Sequence, residues 1–202
     1  MPPRRTADRI RPLAHATLVR MQAPHIDSAQ LTTLPALHSP RLRLEPLGPS
    51  HLPQVMSGLT DPETRRLTAT RTVFSADAVA RHLVEIGGRA DRADWAVIET
   101  GSSQYVGEVV LNDIDADNRS ASFRIALLPG WTGRGYGTEA TSRVLDFAFG
   151  EAGLHRVQLE VYAFNPRAQR AYEKAGFRVE GRMRDALLWE GEWVDCILMS
   201  IL

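Results

Sequence analysis

The chain has 202 residues, enough for one domain with a sizeable core that needs neither disulfides nor a structural metal. Basic and acidic residues number 24 each, a balance that argues against a nucleic-acid or anionic-membrane surface. One cysteine, Cys196, excludes an intrachain disulfide and zinc sites built on paired cysteines, and it points to a reducing cytoplasm. No apolar run is long enough to span a bilayer.

The first twenty residues, "MPPRRTADRIRPLAHATLVR", are rich in arginine and lack the apolar centre of a secretion signal. Residues 1–37 read as a flexible extension, with Met21 a second plausible start, and residues 38–202 as the domain. "RLRLEPL" (41–47) alternates as a half-buried strand does. "PSHLPQVMSGLTD" (49–61) reads as a short helix with Ser50 as its cap, and "SADAVARHLVEIGG" (75–88) as a helix capped by Ser75. The stretch between them, residues 60–74, reads as a loop on the acceptor side; its Arg65, Arg66 and Arg71 suit either a carboxylate-bearing partner or a solvated face.

Three strands follow, at "WAVIE" (95–99), "YVGEVVLND" (105–113) and "ASFRIALLP" (121–129), joined by turns rich in Gly, Ser, Asp and Asn. A helix is expected over 137–150, with Ala140, Val144, Phe147 and Ala148 on one face. "HRVQLEVYA" (155–163) alternates as a strand. In "NPRAQRAYEKAG" (165–176), Asn165 caps a helix, Pro166 takes its first position and Gly176 follows its end. The last 26 residues read as two strands joined near Glu190 and Gly191. The order predicts a single α/β (α+β) domain: a mixed, mostly antiparallel sheet flanked by helices.

Between strand and helix stands "GWTGRGYGTEA" (130–140), with four glycines in eight residues. A helix N-terminus presents unpaired N–H groups, and glycines let a bulky anion approach them. A P-loop would require lysine after the last glycine, where Thr138 and Glu139 stand. A dinucleotide fingerprint would require G-x-G-x-x-G after the first strand of a βαβ unit. A tight structural turn and an acyl-coenzyme-A loop remain.

A second motif favours the coenzyme loop. "LLPGWTGRGYGTEA" followed by "NPRAQRAYEKAGF" resembles the paired motifs of the GNAT acetyltransferases, matching at Asn165, Ala168, Tyr172, Glu173, Lys174, Gly176 and Phe177. Over residues 38–202 the chain is also similar to the RimJ/RimL-type branch, whose founders acetylate protein N-termini. The resemblance implies acetyl-CoA as cosubstrate and a primary amine as acceptor, with no metal. A homodimer is a further expectation.

It also implies roles for particular residues. Thr132, Gly133, Arg134, Gly135, Tyr136, Gly137 and Thr138 would hold the pyrophosphate, with Thr132 replacing the family's usual arginine or glutamine. Ala126 and Leu127 would present main-chain groups to the coenzyme, and Asn165 would bond its pantetheine arm. Tyr172 would donate a proton to the departing thiolate. No motif marks a base among Glu108, Asp113, Asp115, Ser122 and His82. Two other readings stand beside the enzyme. One is a non-catalytic acyl-CoA sensor of the same fold, which retention of Tyr172 disfavours; the other is a nucleotide-binding module, which the missing lysine disfavours.

Overall fold

The computed structural model describes residues 26–202; the arginine-rich first twenty residues lie outside them. Eight strands form one sheet: β1 (Leu37–His38), β2 (Leu42–Pro46), β3 (Ala93–Glu99), β4 (Gln104–Asp115), β5 (Ser120–Leu127), β6 (Arg156–Tyr162), β7 (Arg178–Trp189) and β8 (Glu192–Ile201). Their order is β1-β2-β3-β4-β5-β6-β8-β7, and every neighbouring pair is antiparallel except β5 with β6. The helices are α1 (Ser28–Thr32), α2 (Leu52–Thr60), α3 (Pro62–Leu67), α4 (Ala76–Glu85), α5 (Tyr136–Asp146) and α6 (Pro166–Lys174). This is the mixed, mostly antiparallel sheet with flanking helices that the sequence predicts.

Alternation along the strands sorts two cores. Trp95, Val97, Val109, Leu111 and Phe123 share one core with Ala140 and Val144 of α5 and with Phe147 and Ala148 of the turn that follows it. Trp95 meets Phe147 edge to face at 5.3 Å and donates its indole N–H to the Pro35 carbonyl at 2.9 Å. On the other face, Ala96, Ile98 and Tyr105 pack with Val55, Val79, Leu83 and Ile86 from α2, α4 and its end. A central strand covered on both faces is buried almost throughout, as β3 is.

The helix caps follow local chemistry. Ser75 Oγ accepts from the Ala78 N–H at 3.2 Å, and Asn165 Oδ1 from the Ala168 N–H at 3.1 Å. Glu190 and Gly191, at φ 50° and 87°, make the tight β7–β8 turn.

Four expectations need correction. Ser50 caps nothing: the segment opens as a 3-10 turn over Pro49–His51 after Gly48, and the His51 ring accepts from the Gly48 N–H at 3.2 Å. The loop over 60–74 contains α3, capped by Asp61, which accepts from the Thr64 N–H at 2.7 Å. The helix expected to reach 150 ends at Asp146 and widens into a π turn over Phe147–Glu151, with Phe147 and Ala148 still fully buried. Within the expected extension, Ile26, Leu31 and Leu37 are buried in the first core, so residues 26–37 are built into the domain. Three scattered apolar residues are too few to show a period.

Candidate active site

Gly130, Gly133 and Gly135 take φ of 83°, 78° and 84°, the left-handed region that glycine enters without steric cost. Gly135 is the N-cap of α5 and no side chain caps the helix. The first helical bond runs from the Glu139 N–H to the Gly135 carbonyl at 3.1 Å, so the N–H groups of Tyr136, Gly137 and Thr138 have no acceptor within the helix. Thr132, Gly133, Gly135, Gly137 and Thr138 line a cavity of about 580 Å³.

The cavity continues where the sheet opens. β5 and β6 pair only from Ser120 to Ser122, opposite Arg156 to Gln158, and the strands then part. The Leu128 N–H donates to the Val106 carbonyl at 2.9 Å. Alternation along β5 then turns the main chain of Ala126 toward β4 and that of Ile125 and Leu127 toward the gap. Ala126, Leu127, Asn165 and Tyr172 line this part, and Arg167, Arg170 and Lys174 of α6 add positive charge. Uncapped N–H groups, a split sheet and nearby cations fit a coenzyme with a pyrophosphate and a slim amide-bearing arm.

Two residues expected in the loop turn their side chains elsewhere. The Arg134 guanidinium lies over the Trp131 ring at 5.1 Å, and neither Arg134 nor Tyr136 lines the cavity. The Tyr136 ring is buried, 5.8 Å from Trp131 and beneath the Arg41 guanidinium at 4.6 Å. Thr132 does not stand alone, since its Oγ1 accepts from Arg167 Nη1 at 3.3 Å. Asn165 both caps α6 and lines the cavity, so the two roles expected of it are compatible.

One clamp was invisible in the sequence. Glu139 accepts from Ser39 Oγ at 2.8 Å, Arg41 N–H at 2.9 Å and Arg41 Nε at 2.7 Å. Arg41 Nη1 also donates to the Arg134 carbonyl at 3.0 Å, tying the glycine loop to the β1–β2 turn. A Cβ on Gly135 would meet Arg41 Nη2 at 3.2 Å, in a backbone conformation that side chains avoid. Gly135→Val is expected to weaken coenzyme A binding about tenfold or more, since strain of roughly 1–2 kcal/mol distorts the cradle. Calorimetry on the folded variant checks this, and an unchanged affinity would remove the loop's role.

Tyr172 sits on α6, 8% exposed, with its ring 6.2 Å from Phe123 and 5.9 Å from Phe177. Burial pushes its phenol up to about 12. Among the described residues nothing hydrogen-bonds its hydroxyl.

A second cavity, of about 440 Å³, lies between the sheet and α2 and α4. It shares Thr64, Thr68, Arg124, Ala126 and Leu127 with the first, so the two meet at the end of β5. Glu108 stands in its wall, paired across the sheet with Ala126 and 3.9 Å from Arg124 Nη2. Burial raises the Glu108 carboxyl above the usual carboxylate range, against the pull of Arg124. Of the other base candidates, His82 lines the second cavity, Asp113 and Ser122 the first, and Asp115 turns away to bond Asn118. No sequence signal separates Glu108 from these; its register opposite Ala126 does.

The 60–74 segment supplies Thr64, Thr68, Thr70 and Phe74 to the second cavity, but its arginines are engaged elsewhere. Arg65 donates to the carbonyls of Leu59, Arg71 and Thr72 at 3.2, 2.8 and 2.9 Å. Arg66 lies over Phe164 at 4.7 Å, and Arg71 over Trp189 at 5.7 Å.

A model of the acetyltransferase (GNAT) domain matches residues 41–178. The chain belongs to the GNAT acetyltransferase family. Members of this family use acetyl-CoA. The spermidine N(1)-acetyltransferase of Vibrio cholerae is 34% identical over 106 residues, which are 52% of this chain and 61% of that enzyme. A Bacillus subtilis protein provisionally named a ribosomal N-acetyltransferase is 30% identical over 117 residues, 56% of this chain and 64% of that protein. The structure of the Vibrio cholerae enzyme with CoA and spermine superposes with a TM-score of 0.74 at 25% identity, covering 81% of this chain and 96% of that one.

Proposed function

We propose that this GNAT protein moves an acetyl group directly from acetyl-CoA to a primary amine, in the manner of the RimJ/RimL-like branch. A protein N-terminal α-amine is the acceptor this reading favours. The observation that carries it is the meeting of two cavities at Ala126 and Leu127, one suited to the coenzyme and one holding a carboxylate. Direct transfer needs both reactants at one point, and orientation of that kind removes much of the barrier.

The coenzyme supplies an activated thioester. The Leu127 N–H, turned into the gap, donates to the carbonyl oxygen as negative charge develops there. Glu108 takes a proton from the incoming ammonium group, directly or through one water. Tyr172 donates a hydrogen bond to the departing sulfur, and the proton that the attacking nitrogen sheds as the tetrahedral adduct collapses leaves on the coenzyme's thiol. The α6 cations and the α5 N-terminus hold the phosphates.

The raised Glu108 pKa sets a sign for pH dependence. Its basic form is populated only above that pKa, so kcat/KM falls as pH drops through it. Glu108→Gln is expected to replace this acid limb with the one set by the amine's own pKa and to lower kcat/KM by about 10-fold or more, near the low end for acid–base groups. The effect stays modest because an α-amine, with a pKa of about 7.7–8.0, is partly neutral already. A pH–rate profile of the variant that kept the same acid limb would assign the base elsewhere.

Release of free thiol from acetyl-CoA, followed across a panel of amines, tests the reading as a whole. Thiol release that depends on an amine supports an enzyme. A protein that binds coenzyme A yet transfers to none would be the acyl-CoA sensor.

A further inference from the structure

On the acetyl-transfer reading, the second cavity takes the acceptor, and its chemistry decides which amine fits. Its wall is chiefly apolar: Leu47, Val55, Val79, Leu83 and Leu128, with Phe74 at the rim. Phe74 is 41% exposed and its neighbour Val73 85%, so apolar surface is left open beside the mouth.

Charge is scarce. Asp94 is buried and held by Arg92 Nε and Nη2 at 2.7 and 2.6 Å. Glu108 is left to face the incoming amine, with the Tyr105 hydroxyl beside it and Arg124 already 3.9 Å away. Burial lowers the His82 imidazole below its usual value, so at neutral pH it adds no charge. One polar group is unspent: Gln54, on α2, stands in the wall, and its Oε1 is buried without a hydrogen-bond partner. Such an oxygen gains from any ligand N–H brought to it.

We infer that the acceptor is an apolar amine bearing a single positive charge, that Gln54 accepts a hydrogen bond from an N–H beside that amine, and that polyamines are poor substrates. One ammonium finds Glu108. A second or third would leave water for an apolar wall that offers no further free carboxylate, close to the Arg124 guanidinium. An apolar α-amine with an adjacent amide N–H satisfies every feature at once. A free amino-acid amide and the first residue of a polypeptide both present that chemistry.

The test compares leucinamide, a leucyl-alanyl-alanine amide and spermidine as acceptors, with coenzyme A affinity measured in parallel. Leucinamide kcat/KM is expected to exceed that of spermidine at least tenfold. A tripeptide KM below that of leucinamide identifies a polypeptide source, and equal values identify a small amine. Gln54→Leu should raise the leucinamide KM about five- to tenfold, the worth of one hydrogen bond, leaving kcat and coenzyme A affinity alone. Gln54→Glu keeps the acceptor atom, so it should hold the leucinamide KM down and improve spermidine. Preference for spermidine by the unaltered protein overturns the proposal, as does an unchanged leucinamide KM in Gln54→Leu. Coenzyme A binding with no turnover of any of the three overturns the acceptor assignment and leaves the coenzyme site standing. Loss of coenzyme A binding in the unaltered protein would instead sink the transferase reading itself.

Discussion

Tyr172→Phe is expected to lower kcat and kcat/KM together by about 10²-fold, with coenzyme A affinity and folding stability nearly unchanged. The ring packs between Phe123 and Phe177, and phenylalanine preserves both contacts. Only the hydroxyl is lost, and it has no partner among the described residues, so its removal takes nothing from the fold. A phenol held at about 12 keeps its proton at any working pH, so Tyr172 should add no limb to the pH–rate profile. The same value makes full proton transfer to a thiolate uphill, so the role falls mainly to a strong hydrogen bond as charge builds on sulfur. An interaction made only in the transition state lowers both kinetic parameters equally. Product release can mask part of the effect, so single-turnover rates are the deciding measurement. A rate equal to that of the unaltered protein would return Tyr172 to a packing role.

Gly107→Ala is expected to destabilise the fold by about 3 kcal/mol or more, at or beyond the upper end for overpacked cores. A Cβ there would lie 2.8 Å from Leu127 Cα and closer still to the Ala126 carbonyl oxygen. Both obstacles are backbone atoms of β5, so no side chain can rotate to relieve them. The strands would have to separate where the two cavities meet, next to Glu108 and at the Leu127 main chain. Coenzyme A binding should therefore weaken along with stability. Gly48 provides the contrast: a Cβ there meets nothing within 4 Å, its φ of −162° is ordinary extended backbone, and Gly48→Ala should change stability by less than about 0.5 kcal/mol. Urea unfolding of the pair checks both values. Equal stabilities would mean that the close approach of β4 to β5 is not required.

Much of the site was legible because its signals are local. A glycine needed at positive φ, an uncapped helix start and an asparagine three residues before the N–H it caps all lie within a few residues of one another. The glycine loop, α5 and α6 therefore appear where "GWTGRGYGTEA" and "NPRAQRAYEKAG" put them. Short elements were less legible: α1 and α3 span 5 and 6 residues, less than two helical turns, and show no period.

By itself the sequence determined the longer strands and helices, the uncapped start of α5, the Ser75 and Asn165 caps and the side chains available for chemistry. Each depends on backbone preferences and hydrogen bonds within about one helical turn or one strand. Tertiary structure alone decided which of several carboxylates faces the end of β5, because that follows from strand register between β4 and β5. It also decided that Arg41 and Glu139, 98 positions apart, close the loop, that Arg65 anchors a loop rather than a substrate, and that Gln54 is left unpaired. Parting of β5 from β6 belongs to the same class. A strand carries no mark of where its neighbour leaves it; β6 keeps its pairing with β8 through Tyr162 while its pairing with β5 stops at Gln158, a difference set between strands distant in sequence.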